Sequence, residues 1–337
     1  MVTKPVHSPL AFVCGHRKSG TTVLSNLLEG HPQLAVYPID LALLYAYFPA
    51  YIREHVTPQE RRARLQRILF TDLAARVPAG KIDIDALAER FFAGLDDNKL
   101  DDLGTLIGRL MAAYQATAGR PVAQTRWGVF KETSIEIYAG EILSWFPQAR
   151  FIHLLRDPRD NFAALAGGVD KHYSRLGEDH NRTLASLLNR ARIGLQMAQY
   201  NRARYGEQRY HLVRFEDLAT APEATMRSIA AFLGIDFDAC LLKPTVLGVP
   251  VGGNAFDGVA SFDVSTRNVD RWRDRITPQD AQVIEFHLAD EMNAFGYAPA
   301  FDRAAQASAA AEFYKWQNYQ YFYGDRFAQP AKLPEKS

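Results

Sequence analysis

Short apolar runs punctuate the chain at residues 10–14, 127–130, 151–155 and 210–215, with a further short one at 34–37. Continuous runs of this length, bounded by polar or turn residues, predict strands buried on both faces of a parallel sheet. The segments between them carry helical periodicity, and the alternation predicts an α/β fold. Several helices announce their starts. Thr57-Pro58-Gln59-Glu60 combines a capping-box pattern with proline at the first helical position, and Thr277-Pro278-Gln279-Asp280 is a close variant. Thr133-Ser134-Ile135-Glu136 and Thr220-Ala221-Pro222-Glu223 are read the same way. Gly119, Gly206, Gly234 and Gly296 stand where helix ends call for a left-handed residue. Residues 51–119 read as an almost wholly helical insertion, the natural place for substrate selectivity because the strands are committed to the core. After Phe301 the chain turns Ala-rich and then aromatic, through Phe313, Tyr314, Trp316, Tyr319, Tyr321, Phe322 and Tyr323. The expected architecture is one domain over 1–300, a central, mostly parallel sheet flanked by helices, followed by a helical and aromatic tail at 301–337.

The chemistry concentrates in Gly15-His16-Arg17-Lys18-Ser19-Gly20-Thr21-Thr22, between the first strand and the helical pattern that begins at Val23. A strand, a glycine-bounded loop and a helix start make an anion cradle, because loop amides and the helix dipole point the same way. Gly15 and Gly20 have the spacing of a Walker A loop. An NTP kinase, however, needs Lys-Ser/Thr directly after the second glycine, for the phosphates and for Mg²⁺. Here Thr21-Thr22 stand there and Lys18 precedes Gly20. The loop suits a phosphate-like group handled by lysine and hydroxyls, with no metal seat. A second cation, Arg156, leaves the strand at 151–155, and ligands of open α/β sheets collect at strand carboxyl ends. Two such cations suggest a ligand with two anionic groups, such as a nucleotide phosphorylated at both ends. The competing reading is a solvated turn in which Asp157 and Asp160 pair with Arg159 and Arg156 makes a structural salt bridge.

Composition narrows the classes. The 337 residues hold 39 Lys and Arg against 38 Asp and Glu, a net charge of +1, so no bulk charge favours nucleic acid. Two cysteines, Cys14 and Cys240, argue against a disulfide framework or a cysteine-based metal site. Met1-Val2-Thr3-Lys4-Pro5 lacks a signal-peptide plan, and no apolar run approaches the ~20 residues that span a bilayer. A cytoplasmic location is the expectation.

The 15–22 loop resembles the 5′-phosphosulfate loop of sulfotransferases that use 3′-phosphoadenosine-5′-phosphosulfate (PAPS), which reads Pro-Lys/Arg-Ser-Gly-Thr-Thr. Leu27-Leu28-Glu29-Gly30-His31-Pro32 looks like that family's following helix end. The segment from Phe146 to Asp160 is similar to its 3′-phosphate strand and turn. Val213-Arg214-Phe215-Glu216-Asp217-Leu218 with Phe232-Leu233-Gly234, then Arg271-Trp272-Arg273 and Phe295-Gly296-Tyr297, resemble its later segments. The resemblance implies a P-loop NTPase-like fold and transfer of a sulfuryl group from PAPS to an acceptor hydroxyl, less readily an amine. It implies that Arg17, Lys18, Ser19, Gly20, Thr21 and Thr22 surround the 5′-phosphosulfate, with Lys18 neutralising the leaving phosphate. Arg156 would hold the 3′-phosphate, Phe215 would pack on adenine, and Arg271 would belong to a loop closing over the nucleotide. Relatives carry a base near Asp40 or near Glu132, and Asp40 is slightly preferred. Asp40 otherwise suits a helix N-cap, and Glu132 a first helical turn. Lys131 would bridge to the sulfuryl group or pair with a carboxylate, while His16 and His31 are read as structural.

Two departures stand out. Ala164 replaces a serine of the 3′-phosphate site, leaving Arg159, His172 or Arg175 as stand-ins, and Phe215 replaces a tyrosine. The aromatic tail reads as packing on the core or on a second copy in a homodimer, or as a lid. Rival readings are an NTP-dependent kinase and a non-catalytic nucleotide-binding protein of the same fold. Among acceptors, a sugar, a peptide tyrosine, a lipid and a small phenol all remain open.

Overall fold

A computed structural model describes residues 7–44, 57–168, 179–252 and 266–316. In chain order the strands are β1 Leu10–Cys14, β2 Leu34–Asp40, β3 Trp127–Lys131, β4 Arg150–Leu155, β5 Tyr210–Arg214, β6 Thr245–Val246 and β7 Val249–Pro250. The helices up to the fourth long strand are α1 Thr21–Glu29, α2 Pro58–Gln66, α3 Asp72–Arg76, α4 Ile84–Phe92, α5 Leu103–Thr117 and α6 Ala139–Trp145. They continue with α7 Pro158–Ala166, α8 His180–Tyr205, α9 Phe215–Thr220, α10 Pro222–Leu233 and α11 Trp272–Arg275. The last are α12 Pro278–His287, α13 Ala289–Ala294 and α14 Arg303–Phe313. The described residues fall into two compact units. The first draws on the described residues up to Leu155 and on 197–252, the second on the described residues of 156–196 and 267–316.

The first unit is built on a parallel sheet of order β2-β3-β1-β4-β5. Alternate residues of the strands feed two different cores, as period-2 side-chain geometry requires. Leu10, Phe12 and Phe130 pack with the insertion helices, among them Leu69 and Leu106. Ala11, Val13 and Val129 pack with Leu24 of α1 and Met226 of α10. On the insertion face Phe12 stacks on Phe151 at 5.4 Å and Phe151 on Tyr210 at 5.5 Å, a ladder of cross-strand aromatic pairs. This arrangement is the α/β fold with a central parallel sheet that the apolar runs predict.

Four local expectations are corrected. β2 runs on to Asp40, past Pro38. Proline donates no ladder bond, but β2 is an edge strand and its register shifts between Val36 and Asp40, so it is tolerated. β5 ends at Arg214, because Phe215 opens α9. Thr220 does not cap α10. Its hydroxyl donates back to the Glu216 carbonyl at 2.8 Å, the usual bond for threonine within a helix. Ser134, at φ 64, turns the chain into a short 3₁₀ helix at Ile135–Tyr138 with no side-chain cap. The capping boxes at Thr57 and Thr277 do form, and Gly119, Gly206, Gly234 and Gly296 all have positive φ.

The second unit packs α7, the first part of α8 and α12–α14 around Phe162, Leu184, Leu188, Ile284 and Phe313. Arg159 is almost fully enclosed there. It donates to Asp157 at 2.6 Å and to Glu285 at 2.5 Å, and lies 4.5 Å from the centre of the Trp272 ring. Glu285 also accepts from the amides of Ala300 and Phe301. The turn after β4 is therefore a buried ion-pair network, not a solvated one. Removing one partner of such a network leaves uncompensated buried charge, at a cost of about 3–5 kcal/mol. Arg159→Ala is accordingly expected to lower the urea midpoint strongly, and an unchanged midpoint would show the pairing to be idle.

Candidate functional site

β1 ends at Cys14 and α1 begins at Thr21, so the intervening residues form the loop at a strand carboxyl end. Its backbone is held in positions that few residues adopt: φ is 140° at Gly15, 66° at Lys18 and 102° at Gly20. Neither glycine can carry a side chain. A Cβ on Gly15 would lie 2.4 Å from the Leu154 carbonyl oxygen, and one on Gly20 would lie 2.5 Å from the Phe215 ring. Positive-φ strain at a non-glycine residue costs on the order of 1–3 kcal/mol and persists only where the surroundings enforce it. Ser19 is fully buried, and its Oγ has no hydrogen-bond partner among the described residues. A buried hydroxyl without a partner among the described residues, in a loop at the N-terminus of α1, fits an anionic oxygen bound there. Thr21 is buried at the head of α1, and Arg17, Lys18 and Thr22 are half-buried.

The ends of β2 and β3 bring three further residues to this loop. Lys131 Nζ sits 2.8 Å from Asp40 Oδ1 and donates to Thr22 Oγ1 at 3.3 Å. Arg76 of the insertion approaches the other Asp40 oxygen at 3.9 Å. Asp40 is thus a strand residue in an ion pair, not a helix N-cap. Glu132 follows directly, and it lies outside any helical first turn. It is buried, its Oε2 has no partner among the described residues, and the Ala42 amide bonds its carboxyl. Burial first, then the negative charge of Asp40, pushes Glu132 up to about 8. Such a group can exchange a proton near neutral pH.

Arg156 is the first residue after β4 and belongs to the second unit. It is buried, and its Nη2 donates to the Asn268 carbonyl at 2.8 Å. Arg271 reaches the same residue, donating to Asn268 Oδ1 at 2.9 Å. Two guanidinium groups therefore converge on one asparagine. Asp160 underpins the turn by accepting from the amides of Asp270 and Trp272, at 2.7 and 2.8 Å. Burial raises Asp160 to about 6 despite the nearby positive charge of Arg156. Arg159, offered as a stand-in for the serine missing at Ala164, is instead engaged through Nε, Nη1 and Nη2 by Asp157 and Glu285. His172 and Arg175 lie outside the described residues, as do the aromatic residues after Trp316.

His31 is structural as expected, bridging the Asp236 carbonyl at 3.0 Å and the Gln33 amide at 3.2 Å. Asn268 and Glu136 were not singled out as site residues. Asn268 has no distinctive sequence context, and Glu136 sits in what reads as a helix cap. Among the described residues no group of His, Cys, Asp or Glu could hold a metal, and no helix is long and apolar enough to cross a membrane.

A model of the sulfotransferase family matches residues 9–239, well over half of the chain, and the chain belongs to that family. Nodulation protein NoeE of Sinorhizobium fredii (strain NBRC 101917 / NGR234) is 24% identical over 324 residues, covering 89% of this chain and 69% of that protein. Carbohydrate sulfotransferase 3 of Mus musculus is 27% identical over 171 residues, covering 46% of this chain and only 35% of the mouse protein. The sulfotransferase domain of the Synechococcus PCC 7002 olefin synthase shares the fold, with a TM-score of 0.50 and 23% identity. That alignment covers 93% of this chain and 98% of the domain.

Proposed function

We propose that this sulfotransferase moves a sulfuryl group from PAPS to an acceptor hydroxyl, and less readily to an amine. The observation that carries the reading is the 15–22 loop. Its two glycines cannot be substituted, Lys18 is held at positive φ, and the buried Ser19 hydroxyl has no partner among the described residues. In this reading the loop amides, Ser19, Thr21 and Thr22 hold the 5′-phosphosulfate, with Arg17 at the rim. The Arg156 and Arg271 pair takes the 3′-phosphate, and Phe215 offers an apolar face to adenine.

The acceptor oxygen forms a bond to sulfur as the bond from sulfur to the phosphate oxygen breaks. The electron pair departs on the phosphate, where Lys18 neutralises it. Transfer of this kind rests on in-line positioning and charge stabilisation. The acceptor's proton goes to a carboxylate. Glu132 is favoured over Asp40, because Asp40 is already ion-paired to Lys131 at 2.8 Å and Glu132 keeps a buried oxygen without a partner among the described residues. Asp40 then serves to hold Lys131 against Thr22.

Calorimetry with the product nucleotide, 3′-phosphoadenosine-5′-phosphate (PAP), together with turnover of labelled PAPS over a panel of hydroxyl acceptors, tests the proposal. The name of the mouse relative puts sugars first on that panel. Failure to bind PAP would overturn the donor assignment. Tight binding without turnover on any acceptor would leave a nucleotide-binding protein. Arg156→Ala is expected to weaken PAP by 10-fold or more while leaving adenosine 5′-phosphate nearly unchanged, since a charge-assisted bond to phosphate is worth about 1.5–3 kcal/mol. Equal losses for both nucleotides would show that Arg156 does not read the 3′-phosphate.

A further inference from the structure

The turn after β3 grips the first glycine of the anion loop from both sides. The Ser134 amide donates to the Gly15 carbonyl at 2.9 Å, and the Gly15 amide donates to Glu136 Oε2 at 3.2 Å. Glu136 is 1% exposed, a place where a carboxylate is rarely found without specific partners. Its own main chain is pinned, because Asn201 Nδ2 donates to the Glu136 carbonyl at 2.8 Å. The same amide group reaches the Tyr210 hydroxyl at 3.2 Å, and that hydroxyl pairs with His153 Nδ1 at 2.7 Å. Burial holds His153 down at about 3, so its ring is neutral at ordinary pH. Burial, above all, keeps the Tyr210 hydroxyl protonated.

A negative charge beneath an anion-binding loop opposes the ligand, so the useful contribution of Glu136 is its acceptor oxygen. Gly15 has little freedom otherwise: a Cβ there would meet the Leu154 carbonyl, and Ser19 Oγ lies 2.7 Å from the same point. The Ser19 hydroxyl, without a partner among the described residues, thus occupies the space where a side chain on Gly15 would go, beside the residue that Glu136 holds. Without an acceptor the Gly15 amide would be left unsatisfied, which a loop with three positive-φ residues is poorly placed to absorb.

We propose that Glu136 is a positioning residue for the donor's 5′-phosphate, acting through Gly15 to set the loop on which Ser19 and the cradle amides depend. This rests on the donor reading above. The test is calorimetry of the full chain with PAP and with adenosine 3′-phosphate, which lacks the 5′ group. Glu136→Gln keeps an acceptor oxygen and is expected to bind PAP within about three-fold of the wild type. Glu136→Met removes the acceptor and is expected to weaken PAP by about 10-fold or more, leaving adenosine 3′-phosphate within two-fold. Equal weakening of both nucleotides, or no weakening of PAP, would overturn the proposal. Should Glu136→Met fail to fold, Asn201→Ala frees the main chain of Glu136 and leaves its carboxylate. That variant is expected to lose PAP affinity several-fold without losing adenosine 3′-phosphate, and the same two results would count against the idea. Absence of PAP binding by the wild type would instead sink the donor reading itself.

Discussion

Replacing Lys18 with alanine is expected to cut turnover by about 10²–10³-fold while leaving the fold and most of the PAP affinity in place. The charge that Lys18 meets is the one that grows as the sulfur–oxygen bond breaks, so its stabilisation belongs to the transition state more than to the bound donor. Loss of one preorganised donor of that kind typically costs ~2.7–4 kcal/mol in the barrier. Backbone strain does not confuse the comparison. Lys18 has φ 66, and alanine carries the same Cβ into the same left-handed position, so both pay a similar conformational cost. The thermal midpoint should therefore move little. Measuring kcat at saturating PAPS alongside a melting curve separates chemistry from stability. Turnover within two-fold of the wild type would remove Lys18 from the mechanism, and a collapse of the melting transition would mean that it holds the loop together instead.

The parts of this molecule that were legible in sequence are those governed by local or periodic rules. Buried parallel strands read as apolar runs, and the loop's glycines stand where the backbone needs positive φ and where a Cβ would strike Leu154 or Phe215. Errors arose where a distant partner overrode a local preference. Thr133-Ser134-Ile135-Glu136 has the spacing of a capping box with Thr133 at its head, yet the helix starts one residue late, so Ser134 takes the cap position, and there it is left-handed where a cap needs extended backbone. The carboxylate released from that role reaches Gly15, 121 residues away in sequence. Arg156 and Arg159 look equivalent on one turn, and what separates them is Glu285, 126 residues beyond Arg159. Asp40 and Glu132 are alike in composition and neighbourhood. They differ in burial, which periodicity does not report for residues just past a strand end.

Glu132→Gln should have two effects of opposite sense, one on activity and one on stability, and together they identify the group. Glu132 is held at about 8 by burial and by the charge of Asp40, against an ordinary value of 4.5. A base must be unprotonated to accept the hydroxyl proton, so kcat/KM should rise with pH and level off above about 8. The glutamine variant should lose about 10²–10⁴-fold in turnover and show no such limb. Stability runs the other way. The folded state binds this proton more tightly than the unfolded state does. The resulting stabilisation is fully present below about 4.5 and is lost as pH rises through about 8. Glutamine mimics the protonated carboxyl at every pH, so the variant should gain on the wild type steadily over that window and be the more stable protein at pH 8. Denaturant titrations at pH 5, 6.5 and 8 would measure the divergence. A variant that keeps its turnover and its pH limb would hand the base to Asp40, and Asp40→Asn would then have to abolish both. A variant that loses turnover without gaining stability at high pH would mean that Glu132 is ionised in the folded protein and that its burial does not shield it.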